Sequence, residues 1–158
     1  MMNSSVPSAQ PAIEQLEDQP NLLMGLIGGV VAMLVGAIAW GAITYFTGYQ
    51  ISYVAIGIGF LVGVAIQFFG KGKSLIFGLS GAVLSLIGCL LGNLLVYSGF
   101  IAREEGVPFL EVLLFFLSTP AALIEVYTVA FEFMDLLFYA IAAYVGFSAA
   151  MDIKRTRR

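Results

Sequence analysis

Long stretches without a charged side chain constrain the fold of this protein more than any other feature. Residues 19–70 and 74–102 contain no Asp, Glu, Lys or Arg. A bilayer hydrocarbon core of about 30 Å needs roughly 20 apolar helical residues to cross it. Soluble domains carry about 25% charged residues, whereas this chain carries 11% and has a mean hydropathy of +0.98. The sequence therefore predicts an all-α integral membrane protein embedded in a lipid bilayer.

Short polar connections divide the apolar residues into four predicted transmembrane helices, within one transmembrane domain at 21–151. These helices cover about 22–46, 51–69, 75–100 and 133–151. Asn21 is the predicted N-cap of the first helix. Residues 1–20 are polar and proline-containing, so we expect a disordered tail there, and 152–158 form a basic tail.

The segment between the third and fourth predicted helices is apolar but interrupted. Residues 108–131 contain Glu111 and Glu125, and a Ser-Thr-Pro break ends at Pro120. Each half is too short to cross the membrane at about 1.5 Å per residue. A kinked fifth span would place both carboxylates in hydrocarbon, at about 2.5–3.5 kcal/mol each. We therefore predict a short helical hairpin, interfacial or re-entrant, in which Thr119 caps the second helix and Pro120 takes its first position.

The distribution of basic residues predicts the orientation in the membrane. With four spans, every Lys and Arg except Arg103 lies on one side, together with both termini. Cytoplasmic loops carry an excess of Lys and Arg, so we expect a multipass protein of the inner (cytoplasmic) membrane with both termini in the cytoplasm. Trp40, Tyr45, Tyr49 and Tyr53 would then lie at the outer interface as aromatic anchors.

Glycine and alanine recur four residues apart in the predicted spans. The glycines predicted to pack helices together are Gly25, Gly29, Gly36, Gly59, Gly63, Gly88, Gly92 and Gly146. Small residues at this spacing let helix backbones approach closely in lipid. Packing within one chain explains the pattern, and pairing of subunits through surplus small faces is the alternative. We expect the protein to act through assembly, as a homo-oligomer or as a subunit of a membrane complex.

Three segments resemble a group of small bacterial multipass membrane proteins. They are TGYQI at 47–51, AIGIGFLVG at 55–63 and DLLFYAIAAYVGF at 135–147. The resemblance covers the first two predicted spans and the last, while residues 100–132 diverge. It implies a bacterial membrane protein with four spans and no particular activity.

The residue composition argues against catalysis. The chain has no histidine and one cysteine, Cys89, which removes Ser-His and Cys-His nucleophilic sites and most transition-metal sites. The GLSG sequence around Ser80 matches the nucleophile segment of rhomboid-type proteases, but no histidine base is present. We predict no enzyme, no metal and no cofactor. The net charge of −3 argues against a nucleic-acid partner.

Acidic residues near the last span are the candidate chemistry. Glu125, Glu132, Asp135 and Tyr139 recur at helical spacing and would share one face if a single helix ran unbroken into that span. Asn93 belongs to a mildly polar row on the third span. Such a face could attract cations or relay protons, so a small proton or cation channel or transporter is the alternative function. The simpler interpretation is a face of side chains that reach water.

Overall fold

The computed structural model describes residues 19–152. Most of the predicted tail at 1–20 and nearly all of the predicted tail at 152–158 lie outside the described residues. Over residues 19–152 the chain forms six helices and no strand. They are α1 (Leu22–Thr47), α2 (Val54–Gly70), α3 (Leu75–Glu105), α4 (Phe109–Ser118), α5 (Pro120–Ala130) and α6 (Phe133–Asp152).

Three of these helices are long and apolar enough to cross a membrane: α1, α3 and α6. The α4–α5 pair passes the same test only when taken together, and a bend of 107° separates its two helices. Helix α2 is apolar but has 17 residues. The chain is an α-helical membrane protein with three candidate spans, or up to four if the bent pair is one span. The prediction of exactly four spans is met in part.

The helix ends follow local rules. The side chain of Asn21 accepts a hydrogen bond from the Met24 N–H at 3.2 Å, which confirms the predicted N-cap of α1. Gly48 and Gly106 adopt left-handed conformations with φ of 72° and 67°, where α1 and α3 end. Helix α3 extends to Glu105, beyond the predicted end at residue 100, because its last charged residues are exposed and compatible with a helix in water.

Four helices form a bundle, namely α1, α2, α3 and α6. Helices α2 and α3 contact each other, and each also contacts α1 and α6. The most extensive contact joins α2 to α6, whereas α1 and α6 lie on opposite sides of the α2–α3 pair and barely touch. The backbone N–H of Asn21 donates to the Gly70 carbonyl at 2.9 Å, which ties the start of α1 to the end of α2.

The bundle buries a few polar residues within a mainly apolar core and exposes large apolar residues on its surface. The buried polar side chains of the described chain are Thr44, Gln67, Ser85, Asn93, Ser98 and Asp135. The exposed surface of α1 is instead formed by large aliphatic residues, including Val31, Val35 and Ile38. A soluble monomer rarely exposes contiguous apolar surface of this kind. The arrangement is that expected of helices surrounded by lipid.

Candidate functional site: the polar core and the elbow

The glycines of α2 meet the backbone of α6. A Cβ atom at Gly59 would clash with the carbonyl oxygen of Ala142, and one at Gly63 would lie 2.6 Å from the carbonyl oxygen of Gly146. Gly146 in turn abuts Ser85 of α3. Since a backbone atom cannot move aside as a flexible side chain can, only glycine fits at these positions.

The other predicted packing glycines face side chains or backbone within the bundle. A Cβ atom at Gly25 would lie 3.1 Å from the Gly70 Cα atom, and one at Gly92 would lie 2.5 Å from Trp40 Cε3. The remaining contacts are Gly29 against Ile66 and Leu84, Gly36 against Ile58, and Gly88 against Ile58 and Met33. All eight predicted packing glycines are thus used inside one chain, whereas Gly57 has nothing within 4 Å.

Trp40 differs from the expectation for an interfacial anchor. Its side chain is fully buried against Gly92, so its assignment to the aromatic belt is wrong. Tyr45, Tyr49 and Tyr53 are exposed, as the prediction requires. The apolar sequence around Trp40 gives no sign of this contact, because the glycine that receives its ring lies on another helix.

A chain of hydrogen bonds leads from the surface into the core. Exposed Gln50 donates from Nε2 to Asn93 Oδ1 at 3.3 Å, and buried Asn93 donates from Nδ2 to Tyr139 Oη at 2.6 Å. Tyr139 then donates to the Cys89 carbonyl at 3.2 Å. The structure therefore brings together two predicted residues, Asn93 and Tyr139. The structure adds Gln50 to these two residues. Gln50 lies in the connection between α1 and α2, where no sequence pattern indicates this contact.

The Cys89 thiol donates to the Ala55 carbonyl at 3.8 Å, and among the described residues the core on the other side of Cys89 offers no further continuation of this chain. Ile58, Val62 and Ile66 fill it with aliphatic side chains, and the Ser85 hydroxyl donates to the Gly81 carbonyl of its own helix at 2.6 Å. At the far end, the Gln67 amide lies against two carbonyl groups, those of Gly72 and Ala150, and donates to both when its nitrogen is turned toward them. Within residues 19–152 the polar chain thus ends midway through the bundle.

The acidic residues do not form the predicted continuous face. Helix α5 ends at Ala130 and α6 begins at Phe133, so the unbroken helix on which that face depended is absent. Glu125 and Glu132 are exposed, whereas Asp135 is buried. The Asp135 carboxylate accepts a hydrogen bond from the Glu132 N–H at 3.1 Å, which is the carboxylate half of a capping box at the start of α6. Its place in the structure is that of a helix cap.

Helices α4 and α5 form a sharply bent unit, which we call the elbow (residues 109–130). Val112 and Phe116 of α4 pack in one cluster with Leu94 and Ala102 of α3, so α4 runs back along the helix that precedes it. Helix α5 contains no buried residue. Pro120 occupies the start of α5 as predicted, while the Thr119 side chain makes no capping hydrogen bond.

Two tyrosines attach α5 to α3, and we call this pair the tyrosine latch. The Tyr97 hydroxyl of α3 donates to the Ala130 carbonyl at 3.4 Å, and the Tyr127 hydroxyl of α5 donates to the Leu90 carbonyl. The two rings meet edge to face, with centroids 5.8 Å apart. Sequence reasoning missed both residues, because a tyrosine within an apolar helix resembles an ordinary core or lipid-facing aromatic.

An open groove of about 650 Å³ lies between α3 and the elbow. Its residues are Leu90, Leu91, Leu94, Leu117, Leu123, Ile124, Tyr127, Thr128 and Phe131. Among residues 19–152, no three His, Cys, Asp or Glu side chains lie close enough together to hold a metal ion. No family model, curated protein or solved structure matches this chain. The function must therefore be argued from the bundle, the elbow and the groove themselves.

Proposed function

We propose that this chain is a four-span inner-membrane protein that acts as an assembled subunit, either of a homo-oligomer or of a larger membrane complex. We also propose that the elbow is the surface through which it assembles. The observation that carries the proposal is that α5, with no buried residue, lies alongside the middle of a membrane-spanning helix.

The fourth span in this proposal is α2. Its 17 residues reach about 26 Å at 1.5 Å per residue, at the short end of the lengths that cross a bilayer. Its close backbone contacts with α6 at Gly59 and Gly63, and its attachment to α1 at Gly70, support a helix that runs the length of the bundle. With α2 as a span, the positive-inside bias supports cytoplasmic termini.

The elbow enters and leaves the membrane on the same side in this proposal. Helix α4 begins just after α3 ends at Glu105, and α5 ends at Ala130 beside Tyr97 of the same helix. Between these points the elbow reaches Leu90, which lies about 22 Å along α3 from Leu75. A hydrocarbon core about 30 Å thick includes that level, so a re-entrant elbow is better supported than an interfacial one.

Glu125 determines which kind of side chain a partner helix must supply. It is exposed on α5 together with Val129, one helical turn away and 82% exposed. A carboxylate facing lipid at this level costs about 2.5–3.5 kcal/mol, and a partner helix that supplies a basic or hydroxyl side chain removes that cost. An apolar surface with one carboxylate in it therefore favours a protein neighbour over lipid.

The test of assembly is the native mass of the purified protein. We expect Glu125→Lys and Val129→Trp to reduce the complex to single chains, because both alter the outward face of α5. Val31→Trp, on the exposed face of α1, is the matched control and should keep the native mass. A wild-type protein that is monomeric in mild detergent and in bilayers would overturn assembly. Retention of the complex by both α5 variants would overturn the role of the elbow.

The orientation can be tested separately with a membrane-impermeant maleimide. Cys89 is fully buried and contributes little background. We expect Thr47→Cys to be labelled from outside intact cells and Ser74→Cys only after the membrane is opened. The reverse pattern would overturn the proposed orientation.

A proton or cation channel remains the second candidate, supported by the hydrogen bonds from Gln50 through Asn93 to Tyr139. It has less support than assembly because this chain stops at Cys89 and aliphatic side chains follow. Flux through proteoliposomes that is lost in Glu125→Gln, Glu132→Gln or Asp135→Asn would favour the channel. We expect wild type and all three variants to match empty liposomes.

A further inference from the structure

The groove between α3 and the elbow has an apolar floor and an open side. Leu94 is buried in its floor, while Leu90, Leu117 and Ile124 are exposed along it. In the membrane placement proposed above, this level of α3 lies in the outer half of the hydrocarbon core. The groove therefore opens sideways toward lipid chains rather than toward water.

The groove offers no free polar group to a ligand. The side-chain polar atoms in its wall are the hydroxyls of Tyr127 and Thr128. Tyr127 donates to the Leu90 carbonyl, and Thr128 donates to the Ile124 carbonyl at 2.7 Å. A polar ligand would lose its hydration here without gaining hydrogen bonds. An aliphatic chain makes no hydrogen bonds that it could lose on entering the groove.

The size of the groove also selects the occupant. An α-helix with its side chains is about 10–12 Å wide and rises 5.4 Å per turn, so about 650 Å³ accommodates little more than one turn. The outer surface of α5 therefore suits a partner helix better than the groove behind it does. A narrow hydrocarbon chain can occupy the groove.

The charges around the outer end of the molecule determine which lipid headgroup is favoured above the groove. Glu105, Glu111 and Glu132 are exposed there, whereas Glu104 lines a pocket with Arg103 beside the end of α1. The one basic residue of this end, Arg103, lies beside Gly48 at the end of α1. A Cβ atom added at Gly48 would lie 3.8 Å from Arg103 Nη1. No Lys or Arg occurs between Arg103 and Lys154. Glu132 directly follows Phe131 of the groove wall, so a headgroup above the groove meets a carboxylate, which attracts an ammonium group and repels an anionic headgroup.

We infer that the groove is a lipid-binding site that takes one acyl chain of a zwitterionic glycerophospholipid whose headgroup carries an ammonium. The acyl chain lies against Leu91 and Leu94, and the ammonium lies toward Glu132. This inference rests on the proposed membrane placement of the elbow. It does not depend on assembly, since the groove is complete within one chain.

The test is native mass spectrometry of the full chain after exchange from detergent micelles that contain equal amounts of phosphatidylethanolamine and phosphatidylglycerol with identical acyl chains. We expect one phosphatidylethanolamine per chain, retained over phosphatidylglycerol by about threefold, the size of an exposed ion-pair preference. Glu132→Lys should bring that ratio to one or below.

Filling the groove should release the lipid. Ile124→Trp places a large ring on the exposed edge of the groove and should lower retention by about tenfold. Leu117→Trp does the same from α4 and serves if the first variant does not fold. Leu114→Trp is the matched control, because Leu114 is exposed on the same elbow but outside the groove. It should retain the lipid.

The outcomes separate this inference from the proposed function. Absence of a retained lipid in wild type, or equal retention by Ile124→Trp, Leu117→Trp and Leu114→Trp, would overturn the site. Equal retention of the two lipids by wild type would overturn the ammonium assignment. The same spectra report the number of chains per particle, so loss of lipid and loss of assembly are read independently.

Discussion

The bundle and the elbow are held together by different kinds of contact. In the bundle, α2 approaches α6 so closely at Gly59 and Gly63 that backbone meets backbone. In the elbow, α5 has no buried residue and is attached through two tyrosine hydroxyls and half-buried apolar side chains such as Leu123 and Val126. Two helix backbones in close contact fit together in a single arrangement. A helix attached by a pair of hydrogen bonds can open and close locally. The comparison predicts a rigid bundle and an elbow that opens first.

The largest effect should come from adding a side chain between α2 and α6. Gly59→Leu drives a side chain into the Ala142 backbone, so we expect a loss at or above the upper end of the roughly 1–3 kcal/mol that overpacking costs, or failure to fold. The measurement is the unfolding midpoint in a denaturing detergent.

The control for that change lies two residues away on the same helix. Gly57 has nothing within 4 Å, so Gly57→Leu should keep the wild-type midpoint or raise it slightly. Equal loss in both variants would show that helix propensity or insertion, rather than contact with α6, sets the stability of α2.

An intermediate effect should follow from removal of the Tyr139 hydroxyl. Tyr139→Phe leaves the Asn93 amide buried without its acceptor, at a cost of about 1–2 kcal/mol. The double variant with Asn93→Leu should recover part of this loss, because no unpaired amide then remains.

Tyr144→Phe is the control for this pair, since Tyr144 is 70% exposed on the same helix. It should leave the unfolding midpoint unchanged. Additive losses in the double variant would contradict a direct Asn93–Tyr139 interaction.

The smallest effect should come from the tyrosine latch. Tyr97→Phe and Tyr127→Phe each remove one hydrogen bond, worth about 0.6 kcal/mol between membrane helices. We expect faster amide hydrogen exchange across residues 120–130 with little change in the unfolding midpoint of the bundle. Tyr53→Phe, at an exposed tyrosine, should change neither. A drop in the midpoint equal to that of Tyr139→Phe would show that the elbow is part of the bundle core.

The sequence predicts where the helices lie, in the bundle and in the elbow, better than it predicts which side chains meet between helices, and the reason is physical. The length of the apolar runs and the charges that flank them place α1 and α6 within one residue of their observed ends. Asn21 and Pro120 are predicted correctly because each starts a helix through contacts with its own neighbours in sequence. The start of α2 at Val54 rather than residue 51 reflects the turn after Gly48, which no hydropathy pattern encodes.

The errors concern residues whose roles depend on distant partners. The spacing of acids from Glu125 to Asp135 continues across the break between α5 and α6, so spacing alone could not reveal that Asp135 caps a new helix. The burial of Trp40 depends on Gly92 of another helix, and the hydrogen bonds of the tyrosine latch depend on carbonyl groups of other helices. The resemblance to small bacterial multipass proteins remains a prediction.

The pairing of α2 with α6 has a consequence for how the protein is made. A ribosome adds about 5–20 residues per second, so α2 waits roughly 3–13 s between completion of its last residue, Gly70, and the appearance of Phe133. During that interval the glycine face of α2 has only lipid or the insertion machinery as a neighbour. Truncation before α6 therefore leaves the face of α2 at Gly59 and Gly63 without the backbone that it packs against.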